Sequence, residues 1–162
     1  MSKSGIQVPT EVSSVFNQIR QEDKVRWLQL VIEDETIQIK NQRDLTDSFE
    51  DDYNSLAESV DGPCYFIFRL DEKNLSGSRW LLIWYVPDGS KVKQKMLYSS
   101  TLETVKKDLG NTHFDGDHHT SLKSELLFEN FTWESKGERQ KNLEDVMTND
   151  EKFVLFLFLK LI

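Results

Sequence analysis

The sequence predicts an α/β or α+β layer fold, a sheet sandwiched between helices, on three observations. Two runs, Cys64 to Leu70 and Trp80 to Val86, are apolar on successive positions, as strands are when both faces are buried. The stretch Thr36-Ile37-Gln38-Ile39-Lys40 alternates apolar and polar residues, as a half-buried strand does. The longest helical pattern, about Ser90 to Leu109, begins directly after the turn Pro87-Asp88-Gly89. Helices and strands therefore interleave along one chain.

Taken in order, Pro9 to about Arg20 reads as a helix, because proline suits the first turn and Val12, Val15, Phe16 and Ile19 recur at helical spacing. Trp27 to Ile32 reads as a buried strand paired antiparallel with the 36–40 strand, with Asp34-Glu35 as the hairpin connection. Thr46 or Asp47 is placed to cap a short acidic helix carrying Phe49, Tyr53 and Leu56, which must end before Gly62-Pro63. The central strands are joined by Asp71 to Arg79, where Asn74, Ser76, Gly77 and Ser78 form turns. Gly110-Asn111 closes the long helix. His113 to Thr120 reads as loop or edge strand, and Ser121 to Trp133 as a last helix using Leu122, Leu126 or Leu127, and Phe131. Glu134 to Lys152 is charged and polar, a linker or tail.

A chain of 162 residues fits one domain with a sizeable core. Its one cysteine, Cys64, excludes an intramolecular disulfide and lies in an apolar run, which suits a reducing, intracellular setting. The amino terminus has no apolar segment of the secretory type. The apolar tail Phe153 to Ile162 is too short to cross a bilayer as a helix. A net charge of −8 argues against general nucleic-acid binding unless the cations cluster on one face.

They do cluster on the long helix. At about 100° per residue, Tyr98, Leu102, Val105 and Leu109 share the stripe that faces a core. The opposite face collects Lys93, Met96, Ser100, Glu103 and Lys107, with Lys95 and Lys106 toward one flank. Lysines opposite a core stripe are ordinarily just a solvated face. Met96 speaks for more, because an outward methionine among cations suits the centre of a contact surface.

The run Val86-Pro87-Asp88-Gly89-Ser90-Lys91-Val92-Lys93-Gln94-Lys95-Met96-Leu97-Tyr98-Ser99-Ser100-Thr101 resembles the strand-to-helix junction of the actin-depolymerising-factor homology, or cofilin-like, family. Gln94 between two basic residues, Met96-Leu97-Tyr98-Ser99-Ser100 and Lys106-Lys107 are most similar to the first domain of the twinfilin branch. Ser4-Gly5-Ile6, Pro63-Cys64-Tyr65 and Phe68-Arg69-Leu70-Asp71 extend the likeness over roughly residues 4 to 135. The resemblance implies a mixed sheet of five or six strands between helices, a domain over residues 1–135, and a charged linker with apolar tail over 136–162. It implies a monomeric, cytoplasmic, cytoskeletal protein without enzymatic activity or cofactor. This protein would bind and sequester actin monomers, preferably ADP-actin, through Ser4, Gly5, Ile6, Lys93, Lys95, Met96, Ser100, Lys106 and Lys107. Phosphoinositide headgroups would meet Lys91, Lys93, Lys95, Lys106 and Lys107. By analogy a phosphate on Ser4 would repel an acidic actin surface, although an unmodified serine is the simpler reading.

Cofilins that sever filaments use a basic loop between two central strands. The matching Asp71 to Arg79 carries Lys73 and Arg79 but also Asp71 and Glu72, which favours monomer binding over severing. His113, Asp115, Asp117, His118 and His119 are metal-ligating types, but their spacing fits no standard site, and a polar loop accounts for them better. Nucleophile-elbow and phosphate-loop patterns are absent from the sequence.

Overall fold

The structure is a computed structural model that describes residues 5–71 and 79–131. Its elements run α1 (Thr10–Gln21), β1 (Val25–Glu33), β2 (Thr36–Asp44), α2 (Phe49–Ser59), β3 (Cys64–Arg69), β4 (Trp80–Tyr85), α3 (Val92–Leu109) and β5 (Phe114–Thr120). The strands form one sheet in the order β2-β1-β3-β4-β5, antiparallel except for the β4–β5 pair. The sheet is thus mixed and five-stranded, as expected. A parallel pair cannot be closed by a hairpin and needs a long crossover. α3 is that crossover, so the order of elements alone lays it across the sheet.

Both faces are covered, as the continuous apolar strands require. On one face Tyr65, Ile67, Trp80 and Leu82 meet Phe16 and Ile19 of α1 and Tyr98, Leu102, Val105 and Leu109 of α3. On the other, Phe66, Phe68, Leu81 and Ile83 meet Tyr53 and Leu56 of α2. Asp34 and Glu35 both adopt positive φ, 51° and 61°, the two-residue turn whose twist matches an antiparallel hairpin.

Three expectations are corrected. The α2 cap is Ser48, whose hydroxyl accepts from the Asp51 N–H; Thr46 instead donates its hydroxyl to the Asp52 carboxylate at 2.7 Å. α3 begins at Val92 and not at Ser90, with Lys91 in extended backbone at its N-terminus. The predicted last helix is two short 3₁₀ turns, Lys123–Leu126 and Phe128–Asn130, up to the last described residue. The physical reason lies in competing acceptors. The Glu125 carboxylate caps the first turn by accepting from the N–H groups of Ser121 and Leu122, whereas Asn54 of α2 takes the Phe128 N–H that a continuing helix would give to the Ser124 carbonyl. Phe128 and Phe131 pack onto Phe49 and Tyr53 of α2.

Candidate functional site

α3 is held in one rotational setting. Its stripe Tyr98, Leu102, Val105 and Leu109 is buried, each large side chain contributing roughly 1.5–3 kcal/mol by leaving water. The Ile32 N–H of β1 donates to the Tyr98 hydroxyl at 2.9 Å, and the Tyr65 hydroxyl donates to the Tyr98 carbonyl. At the far end Gly110, at φ 107°, stops the helix and donates to the carbonyls of Lys106 and Lys107. A Cβ there would lie 2.7 Å from the His113 ring, so this position is restricted to glycine by both backbone and space.

With the inner face fixed, the outer one is set. Met96 is 67 % exposed and Val92, one turn earlier, 71 %. The two are four residues apart on the helix and so form one apolar patch. Lys91, Lys93, Lys95 and Lys107 surround or extend it and enter no ion pair with described residues. Lys93 and Lys107 are exposed, whereas Lys95 is half-buried. Ser100 is half-buried too, its hydroxyl donating to the Leu97 carbonyl at 3.2 Å. Lys106 differs: its ammonium lies 2.8 Å from Asp117 of β5 and 3.1 Å from Glu103. Burial alone would lower its pKa, but the two carboxylates raise it above the usual lysine value. Its charge is thereby neutralised within the fold.

The amino-terminal segment joins the same helix at its other end. The Val8 N–H donates to the Asp108 carboxylate at 3.1 Å. Gly5 is exposed with φ 79°, and Ile6 is 7 % exposed within the α1–α3 core. Ile6 is thus an anchor for this segment more than an exposed contact. Ser4 lies outside the described residues, as do Glu72 to Ser78 of the central loop and the Phe153 to Ile162 tail.

The histidine and aspartate cluster is dispersed by β5. A register shift between Trp80 and Leu81 lets Phe114 enter the α1–α3 core and then returns Asp117 and His119 to that same face, the effect of a bulge on strand alternation. Asp117 pairs with Lys106, and His119 stacks on Trp84 with ring centroids 4.0 Å apart. Among the described residues no group of three or more such side chains is placed to hold a metal ion, and no helix is long and apolar enough to cross a membrane.

Sequence reasoning passed over Val92, and it placed Leu122 on the packed side of a last helix, whereas Leu122 caps a short 3₁₀ turn beyond β5 and is 55 % exposed. Val92 had a readable signal, an aliphatic residue one helical turn before the outward Met96. Trp84 had none, because in a fully apolar strand no residue is marked as reaching the surface.

This surface can be compared with known proteins. The sequence model of the cofilin/tropomyosin-type actin-binding proteins matches residues 5–134. The chain belongs to that family. The family is one of actin-binding and not catalytic proteins. The chain is 31 % identical over 157 residues to a twinfilin of Dictyostelium discoideum, covering 92 % of this chain and 46 % of that protein. It is 32 % identical over 132 residues to a twinfilin of Anopheles gambiae, covering 80 % and 38 %. The chain therefore spans less than half the length of these relatives. Among solved structures, that of Eh twinfilin superimposes with a TM-score of 0.69 at 31 % identity, covering 75 % of this chain and 91 % of that one.

Proposed function

We propose that the chain binds and sequesters monomeric actin through the outer face of α3, in the cytoplasm and at the actin cytoskeleton. One observation carries this reading: in a member of an actin-binding family, the unpaired Lys93 and Lys95 flank an exposed Met96 on a helix whose other face is locked into the core. The lysines meet actin carboxylates and steer association, and Met96 with Val92 fills an apolar site and slows dissociation. Lys107, Ser100 and the segment Ser4-Gly5-Ile6 complete the contact, with Ile6 fixing the segment from inside. Lys106 supports the face through Asp117. The actin-binding domain is residues 1–135, followed over 136–162 by the linker and tail. The preference for ADP-actin belongs to the same reading and rests on the likeness to twinfilins.

In the test, actin monomers are titrated with the chain and with Lys93→Ala/Lys95→Ala. The double variant is expected to bind at least about tenfold more weakly with an unchanged unfolding midpoint, since neither ammonium is used within the fold. Equal affinity in a folded variant would sink the assignment. Co-sedimentation with filaments separates the alternative of filament binding and severing. A phosphoinositide headgroup would engage Lys91, Lys93, Lys95 and Lys107, with Lys106 already held by Asp117 and Glu103. Anionic vesicles should therefore compete with actin and not bind independently of it.

A further inference from the structure

We infer that the outer face of α3 is covered, in the free chain, by a segment of the chain itself, the acidic-to-apolar stretch from Glu144 to Phe156, and that actin has to displace it. The regulatory meaning rests on reading this face as the actin contact. The contact between segment and helix stands on the chemistry of the two alone.

The face calls for a partner of one kind. Val92 and Met96 form an apolar patch at 71 % and 67 % exposure, and Lys91, Lys93 and Lys95 stand around it with no acidic residue in the first turn of the helix. Its complement joins carboxylates to apolar side chains. Residues 142–151 carry Glu144, Asp145, Asp150 and Glu151 and neither lysine nor arginine, and directly after Lys152 the apolar run opens with Phe153-Val154-Leu155-Phe156. The carboxylates meet the lysines, while the apolar residues take Val92 and Met96 out of water. The wider opening between α1 and β2, about 770 Å³, is lined by Glu11 and by no cation, so it repels the same segment. Reach is sufficient as well. Phe131, the last described residue, packs on Phe49 and Tyr53 of α2, on the sheet face away from α3. Residues 132–149 span about 60 Å when extended, enough to round a domain roughly 36 Å across. Tethering holds the segment at a local concentration on the order of 1 mM, so a contact too weak to form between separate molecules closes within one.

The experiment keeps the full chain and places one nitroxide on it. Asn149→Cys supplies the thiol for the label; Cys64 is buried, which pushes its pKa up to about 12, so it stays unlabelled. The Met96 methyl resonance, identified by its loss in Met96→Leu, is expected to lose more than half its intensity to the active nitroxide at every protein concentration. Asp150→Lys/Glu151→Lys in the labelled chain should restore that intensity, and should tighten binding to actin monomers about fivefold, as removal of an internal competitor does. A Met96 signal untouched by the label, or still attenuated after the charge reversal, overturns the inference. So does attenuation that vanishes on dilution, which assigns the face to the segment of a second copy. Attenuation that the reversal relieves with no gain in actin affinity upholds the internal contact and overturns the reading of α3 as the actin site.

Discussion

Asp52 sits on α2 with its side chain fully buried and draws together three elements. Its carboxylate accepts from Arg26 of β1 at 2.8 Å, from Arg43 of β2 at 3.1 Å, and from both the hydroxyl and the N–H of Thr46. Burial pushes its pKa up, but these hydrogen bonds outweigh burial and hold it below the ordinary carboxylate value. Arg26 is itself buried, its guanidinium over Phe49 and Phe68 and bonded to the Arg69 carbonyl and to Asp71. Arg69 does a related task one strand away, donating to the carbonyls of Ile19 and Glu22 and so capping α1, while lying 4.4 Å from the Trp80 ring. Asp52→Asn keeps the shape and removes the buried one of the two carboxylates that neutralise Arg26, the other being the exposed Asp71. Its expected cost is roughly 3 kcal/mol, read from the urea midpoint at neutral pH. A lowered carboxylate pKa contributes stability that is present above the unfolded value and lost as pH falls through the folded one. The gap between the two proteins should therefore narrow below about pH 4. None of this was legible in the sequence. Arg26 sits directly before the strand predicted from Trp27, and an arginine at a strand end reads as surface until its buried partner, 26 residues on, is known.

At the scale of one element, α3 was read well where its neighbours are close in sequence. The stripe Tyr98-Leu102-Val105-Leu109 and the stop at Gly110 follow from helical spacing and glycine's access to positive φ, and both are observed. The start was read two residues early, because no capping side chain marks it. Lys91 makes no cap hydrogen bond, and no acidic residue occupies the first turn. The helix thus opens with free N–H groups and lysines at its positive end, an arrangement that costs stability. It is the arrangement expected of a helix end that meets an acidic partner. Lys91→Asp should stabilise the domain by about 1 kcal/mol through capping and the helix dipole, raising the thermal midpoint. The same change should weaken actin-monomer binding by reversing charge beside Lys93. A variant that gains stability with no loss of affinity would show that the helix start lies outside the contact.

Across the whole molecule, the layer architecture was legible because strands buried on both faces have no choice but to be continuously apolar. The parallel placement of β5 was not: Phe114-Asp115-Gly116-Asp117-His118-His119-Thr120 reads as loop or edge strand, and it does form the edge strand, but its direction and the bulge beside Trp80 that sorts its side chains between the two faces leave no mark in the sequence. That sorting gives the fold a response to acid. Burial pushes the His118 pKa below the ordinary histidine value, opposed by Glu125 and Asp117 and assisted by His119. Burial and the neighbouring Arg20 push His113 the same way. A histidine held neutral in the folded state contributes stability that is present above its unfolded pKa, near 6.5, and lost as pH falls below it. Both groups therefore act in the same direction, and above pH 5 the buried carboxylate cluster at Asp52 stays ionised and adds nothing to the change. Lowering the pH from 7.5 to 5.5 should reduce the thermal midpoint by roughly 2–4 °C. His113→Gln/His118→Gln should flatten that profile while leaving actin affinity at pH 7.5 intact, because neither side chain lies on the outer face of α3. A midpoint that falls equally in the double variant would move the acid response to other groups.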